Sequence, residues 1–122
     1  MKEKVLMSAC LLGINCRYDG KHAYREEIDR VVKNHYVVPA CPEQLGGMTT
    51  PRSKNRIEGE RVMNELGIDV TENFYRGARE FLKIAKKLGI ERLILKDESP
   101  SCGKHGIVTK LLPKGLKVEY VK

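Results

Sequence analysis

Three of the four cysteines recur in one local context. Cys10 follows the run Val5-Leu6-Met7-Ser8-Ala9, and Cys41 follows Tyr36-Val37-Val38-Pro39-Ala40. Cys102 lies in Ser99-Pro100-Ser101-Cys102-Gly103, shortly after Leu93-Ile94-Leu95. Each thiol stands just past an apolar run and close to Gly or Pro, which places it in a loop at the carboxyl end of a strand. Thiolates are soft ligands that select iron–sulfur clusters, zinc or copper(I). A closed site normally takes four ligands. Three thiolates on a cubane cluster leave one iron without a protein ligand, able to act as a Lewis acid toward soft sulfur. Cys16 is therefore the fork: as a fourth ligand it closes the site, and otherwise the site can do chemistry. Local zinc knuckles pair ligands as C-x2-C or C-x4-C, whereas Cys10 and Cys16 are spaced C-x5-C, so any shared site is assembled by the fold.

Polar residues cluster around the same segments. Glu43 follows Cys41 by two positions, where a carboxylate can act as general acid–base or orient water. Ser99 and Ser101 flank Pro100 and can contact substrate or cluster sulfur; serines in such turns also bond their own backbone. Asp19 and Lys96 are further candidates for substrate contact at a loop and a strand end. Each cysteine has a plainer reading as a small buried hydrophobe, which applies most readily to Cys16.

The elements that must position these groups read as follows. Lys4 to Ala9 is a first strand, apolar without alternation as in a sheet covered on both faces. Tyr24 to Asn34 fits an amphipathic helix with Ile28, Val31 and Val32 on one face. Tyr36 to Ala40 is a second strand. Met48 to Arg56 reads as irregular, with a small hairpin from Arg61–Met63 to Ile68–Thr71. A helix from Thr71 or Glu72 to about Leu88 carries Phe74, Ala78, Phe81, Leu82, Ala85 and Leu88 on one face and ends at Gly89. Arg92 to Lys96 is a third inner strand, Thr109 to Leu112 a short helix limited by Pro113, and Leu116 to Val121 an edge strand. This order predicts a small Rossmann-like α/β domain spanning 1–122, with a mostly parallel sheet flanked by helices. Ligands in such sheets bind outside the carboxyl ends of the strands.

Bulk properties bound the function. A chain of 122 residues with 41% hydrophobic content supplies one core. No run approaches the roughly 18 apolar residues of a membrane span, and the first residues do not resemble a secretory signal, so a cytoplasmic location is expected. Four cysteines in a reducing compartment point away from structural disulfides. The net charge of +7 is compatible with an RNA substrate, but the cations are scattered and aromatic residues are few.

Four segments in order carry a resemblance: Ser8-Ala9-Cys10-Leu11-Leu12-Gly13 with Cys16-Arg17-Tyr18-Asp19-Gly20; Cys41-Pro42-Glu43-Gln44-Leu45-Gly46-Gly47 with Pro51-Arg52; Gly67-Ile68-Asp69-Val70-Thr71 with Gly77-Ala78; and Lys96 through Ser99-Pro100-Ser101-Cys102-Gly103. Together, to about Gly106, they resemble the thiouracil desulfidase family. The resemblance implies an α/β domain with a [4Fe-4S] cluster held by Cys10, Cys41 and Cys102. It further implies non-redox removal of sulfur from a thiolated pyrimidine base, a small-molecule substrate. Glu43 and Ser101 are then candidates for proton transfer, and Asp19, Lys96 and Ser99 for substrate contact. The chain departs from the family's pattern after Gly103, where Lys104 to Thr109 is abbreviated. Two other readings compete: a closed zinc or iron–sulfur site in a non-catalytic protein, and metal-free thiol redox chemistry, which would require a low-pKa cysteine.

Overall fold

Val5, Leu6 and Met7 have no exposed surface, which a strand achieves only when neighbours flank it and layers cover both faces. The computed structural model, which describes residues 2–122, places them in the central strand β1 (Glu3–Ser8). The chain then forms a 3-10 turn (Ala9–Leu12), α1 (Glu27–Asn34), β2 (His35–Ala40), α2 (Pro42–Leu45), β3 (Asn55–Glu58) and β4 (Arg61–Asn64). It continues through α3 (Thr71–Leu88), β5 (Arg92–Lys96), α4 (Ile107–Lys110) and β6 (Lys117–Val121). The main sheet has the order β2-β1-β5-β6, with every neighbouring pair parallel.

The sheet is covered on both faces, as an all-parallel sheet requires. Val5, Met7 and Ile94 pack with Ile28 and Val31 of α1. Leu6, Leu93 and Leu95 face the other way, onto Phe74, Ala78, Phe81 and Ala85 of α3. Period-2 alternation in β1 and β5 thus meets helical periodicity in α1 and α3. After β1 the chain moves to one side through α1 and β2; after α3 it returns on the other side of β1 as β5. The strand order therefore reverses between β1 and β5, at the switch point where such sheets bind ligands. Pro39 lies within β2, an edge strand, where one missing amide donor is tolerated.

Two backbones meet without side chains between them at α2 and α3. A Cβ on Gly77 would lie 1.8 Å from the Pro42 carbonyl oxygen, and one on Gly46 would lie 2.0 Å from that of Asn73. This contact seats α2, and with it Cys41 and Glu43, directly against the longest helix. The Asn73 side-chain amide closes it by donating to the Gly46 carbonyl at 2.9 Å.

Several boundaries differ from the sequence-based expectations. β1 ends at Ser8, and Ala9-Cys10 already turn into the 3-10 segment. Helix α1 starts at Glu27 rather than Tyr24, since the Ala23 amide donates to the Cys10 carbonyl and holds the preceding chain against the first loop. The strand partner of Arg61–Asn64 is Asn55–Glu58, which overlaps the end of the expected irregular segment Met48 to Arg56; its one apolar residue, Ile57, leaves no alternation to detect. Gly59, at φ 62°, begins that tight turn. The expected partner, Ile68–Val70, does lie along β4, through the Met63–Asp69 bridge and a 2.8 Å bond from the Val70 amide to the Val62 carbonyl. Helix α4 occupies Ile107–Lys110, two residues earlier than expected.

Candidate active site

The loops after β1, β2 and β5 enclose a cavity of about 180 Å³ at the carboxyl edge of the sheet. All four cysteines line it. Cys10 is carried by the 3-10 turn that directly continues β1. Cys41 is the cap of α2, whose first helical residue, Pro42, has no amide to leave unsatisfied. Cys102 lies in the turn after β5, where the Ser99 hydroxyl accepts the amides of Ser101 and Cys102, each at 3.2 Å. That turn is wound tightly: a Cβ on Gly103 would lie 2.5 Å from the Ser99 carbonyl oxygen. None of the thiols is disulfide-bonded.

Cys16 joins this group through both its backbone and its thiol. Its carbonyl accepts the Cys41 thiol at 3.8 Å and Arg52 Nη2 at 2.9 Å. Hydrogen bonding with Cys10, together with burial, pushes the Cys16 thiol up to about 11. The Cys41 thiol is also raised, first by its hydrogen bond with Cys16 and then by burial. Burial pushes Cys102 up to about 12. These three raised thiols lend no support to a metal-free thiol redox site, which needs a lowered one.

Glu43 is a buried carboxylate of the cavity, 7% exposed. Arg52 Nε donates to its Oε1 at 2.9 Å, and the Ser101 hydroxyl donates to its Oε2 at 2.7 Å. Arg52 also donates through Nη1 to the Thr49 carbonyl and the Thr50 hydroxyl, at 2.9 and 3.0 Å. Its guanidinium thus ties the Cys16 loop, the Thr49–Thr50 segment and Glu43 into one unit, a use of arginine's fixed fork of donors. Arg52 appeared in the sequence only as part of a motif; nothing in its spacing identified a partner nine positions away for its side chain.

The structure brings Cys10, Cys41, Cys102, Glu43, Ser99, Ser101 and Lys96 to one cavity. Ser101 is the serine that touches Glu43, while Ser99 lies 3.1 Å from Ser101 and supports the turn. Lys96 receives its place from β5: its amide donates to the Ser8 hydroxyl at 2.9 Å, and its Nζ to the Asp97 carbonyl at 2.8 Å. Asp19 is different. It does not line the cavity, although Arg17 and Tyr18 do. Its carboxylate accepts the Lys21 amide at 3.0 Å and faces Arg17 at 3.4 Å, so it closes its own turn. In this structure its carboxylate serves turn chemistry.

Four soft donors line one cavity, with Arg17, Lys54 and Lys96 as well as Glu43, Asp97 and Glu98 on its wall, and soft thiolates suit a cluster of this kind. Among the described residues, no three His, Cys, Asp or Glu side chains converge closely enough to hold one metal ion. A single zinc requires every thiolate about 2.3 Å from one point, whereas a cluster attaches its thiolates to separate irons. The donor set fits a [4Fe-4S] cluster better than a mononuclear site.

A parallel α/β fold with a cysteine-lined pocket at its switch point defines the class. Within it, residues 5–119 match the model of the 2-thiouracil desulfurase family, and the chain belongs to that family. The match continues past Gly106, beyond the reach of the motifs read from sequence. The chain is 45% identical to the uncharacterized protein YbbK of Bacillus subtilis (strain 168) over 109 residues, covering 81% of this chain and 72% of that protein. It is also similar to a solved structure described as the [4Fe-4S]-dependent thiouracil desulfidase TudS, with a TM-score of 0.89 and 36% identity over 98% of this chain and 91% of that one.

Proposed function

We propose that this protein converts the thiocarbonyl of a thiouracil-like base to a carbonyl, consuming water and releasing hydrogen sulfide without net redox change. The observation that carries the reading is the buried Arg52–Glu43–Ser101 network on the wall of the same cavity that gathers the thiols. Cys10, Cys41 and Cys102, one from each of three strand ends, would hold a [4Fe-4S] cluster. When bound, that cluster supplies an iron without a protein ligand as a soft Lewis acid for sulfur.

The chain's own groups supply the proton chemistry. Glu43 Oε2 accepts a proton from the water that adds to the thiocarbonyl carbon, with the Ser101 hydroxyl, 2.7 Å away, as its relay. The same carboxyl holds that proton for the departing sulfide; the second proton of hydrogen sulfide comes from the added hydroxyl as the carbonyl forms. Arg52 fixes the carboxylate's rotamer through Oε1 and keeps Oε2 turned to Ser101. Lys96 and Ser99 border the base-binding space. Arg52 is a positioning residue in this scheme, and Glu43 and Ser101 are the catalytic pair. Four unpaired thiols suit a reducing compartment, consistent with a cytoplasmic protein, and among the described residues no helix is long and apolar enough to cross a membrane.

The test uses protein purified without oxygen and reconstituted with iron and sulfide. Sulfide release from 2-thiouracil is expected for the wild type. Glu43→Gln is expected to retain iron while losing about 10²-fold or more in kcat, the usual contribution of a positioned acid–base. Undiminished turnover in that variant would remove Glu43 from the mechanism.

A further inference from the structure

One buried polar side chain on the cavity wall has no protein partner. Asn55 is 7% exposed and lines the cavity, yet neither its Nδ2 nor its Oδ1 meets a hydrogen-bond partner. Buried amides are nearly always paired, and one left unpaired in a folded protein is costly unless a ligand completes it. Two side chains that share its ladder or its cavity are largely committed elsewhere. Asn64, opposite it across the β3–β4 ladder, uses its Oδ1 to accept the amides of Leu66 and Ile68. Arg52 commits four of its five N–H donors, to Glu43, Thr49, Thr50 and Cys16.

Asn55 has its backbone anchored by a paired strand. It opens β3, whose partner β4 is anchored by the fully buried Val62 and by a 2.8 Å bond from the Val62 amide to the Thr71 hydroxyl at the start of α3. A carboxamide fixed on a strand presents one acceptor beside one donor. The complementary group is a ring N–H next to a ring C=O, the lactam edge of an oxo-pyrimidine.

We propose that Asn55 determines specificity by pairing with the lactam edge of the base, so that the pocket selects thiolated bases that keep an N–H and C=O side by side. This rests on the desulfidase reading and narrows its substrate class. A thione lacking the second oxo group leaves one half of the Asn55 amide unpaired, and sites built to hydrogen-bond a substrate group reject analogues lacking it.

The experiment compares 2-thiouracil with pyrimidine-2-thione, which lacks the 4-oxo group, for wild type, Asn55→Ala and Asn55→Leu. Binding of the product bases uracil and pyrimidin-2-one is measured in parallel by calorimetry. The wild type is expected to favour 2-thiouracil in kcat/KM by about 10²-fold. In both variants the loss on 2-thiouracil is expected to exceed the loss on the thione by ten-fold or more, with uracil binding weakened to match. The near-isosteric leucine controls for a collapse of the cavity wall. Equal losses on both substrates, or an unchanged preference in active variants, would overturn the Asn55 assignment alone. A wild type that releases no sulfide from either substrate would overturn the desulfidase reading beneath it.

Discussion

Glu43 and Arg52 are both almost fully enclosed, with side chains 9% and 5% exposed, so each depends on the other. Removing one member of a buried pair strands the other's charge and costs about 3–5 kcal/mol. Arg52→Ala is therefore expected to destabilise the fold by about that amount in urea unfolding, and the double variant Arg52→Ala/Glu43→Gln is expected to recover much of the loss. Full additivity of the two substitutions would contradict the pairing. At this scale the sequence was most informative where chemistry is intrinsic to the residue: cysteines beside glycine and proline, and a carboxylate two positions from one of them. It was silent where the role comes from a distant partner. Arg52 acts on Glu43 and on the Cys16 carbonyl, and Asn55 stands out only because the folded chain leaves its amide unpaired. Asp19, a motif residue, lies off the cavity lining, and its carboxylate accepts from its own turn.

At the scale of elements, long periodic segments were legible and short polar ones were not. Helix α3 is legible to within a residue because its apolar stripe is buried from Phe74 to Ala85 and Gly89, at φ 66°, ends it. Strand β3 was missed because it has one apolar residue and lies outside the main sheet. The crossing of α2 on α3 gives an element-level prediction. Gly77→Ala places a methyl carbon 1.8 Å from the Pro42 carbonyl oxygen, and backbone cannot yield as a side-chain tip does. It is expected to cost at least about 1–3 kcal/mol and to lower the iron content, because α2 carries Cys41 and Glu43. Normal stability and iron loading in Gly77→Ala would show that the contact does not position the site. The start of α3 carries a pH signature. Hydrogen bonds from the Thr71 hydroxyl and amide, then from Arg61, hold Asp69 down at about 2, from an ordinary value of 3.8. A lowered carboxylate pKa stabilises the fold above the ordinary value and ceases to do so as pH falls through the folded one. Stability is therefore expected to decline between about pH 4 and pH 2, less steeply in Asp69→Asn. Identical acid profiles for the two proteins would contradict this.

For the whole molecule, the parallel sheet and the strand-end location of the thiols followed from chain order: strand, helix, strand, excursion, helix, strand. The excursion itself was opaque, although it contributes Arg52, Lys54 and Asn55 to the cavity. Its function is visible only once β5 returns beside β1 and closes the wall. The comparison structure shares the fold nearly end to end. The central claim is that three thiols from three strand ends hold a cluster and the fourth, Cys16, does not. The most direct measurement is iron and acid-labile sulfide per chain after anaerobic reconstitution, in wild type and in each single Cys→Ala variant. Loss of the cluster in the Cys10, Cys41 and Cys102 variants, with retention in Cys16→Ala, is the predicted result. Equal loss in all four would instead define a closed site, and the proposed chemistry at an open iron would not stand.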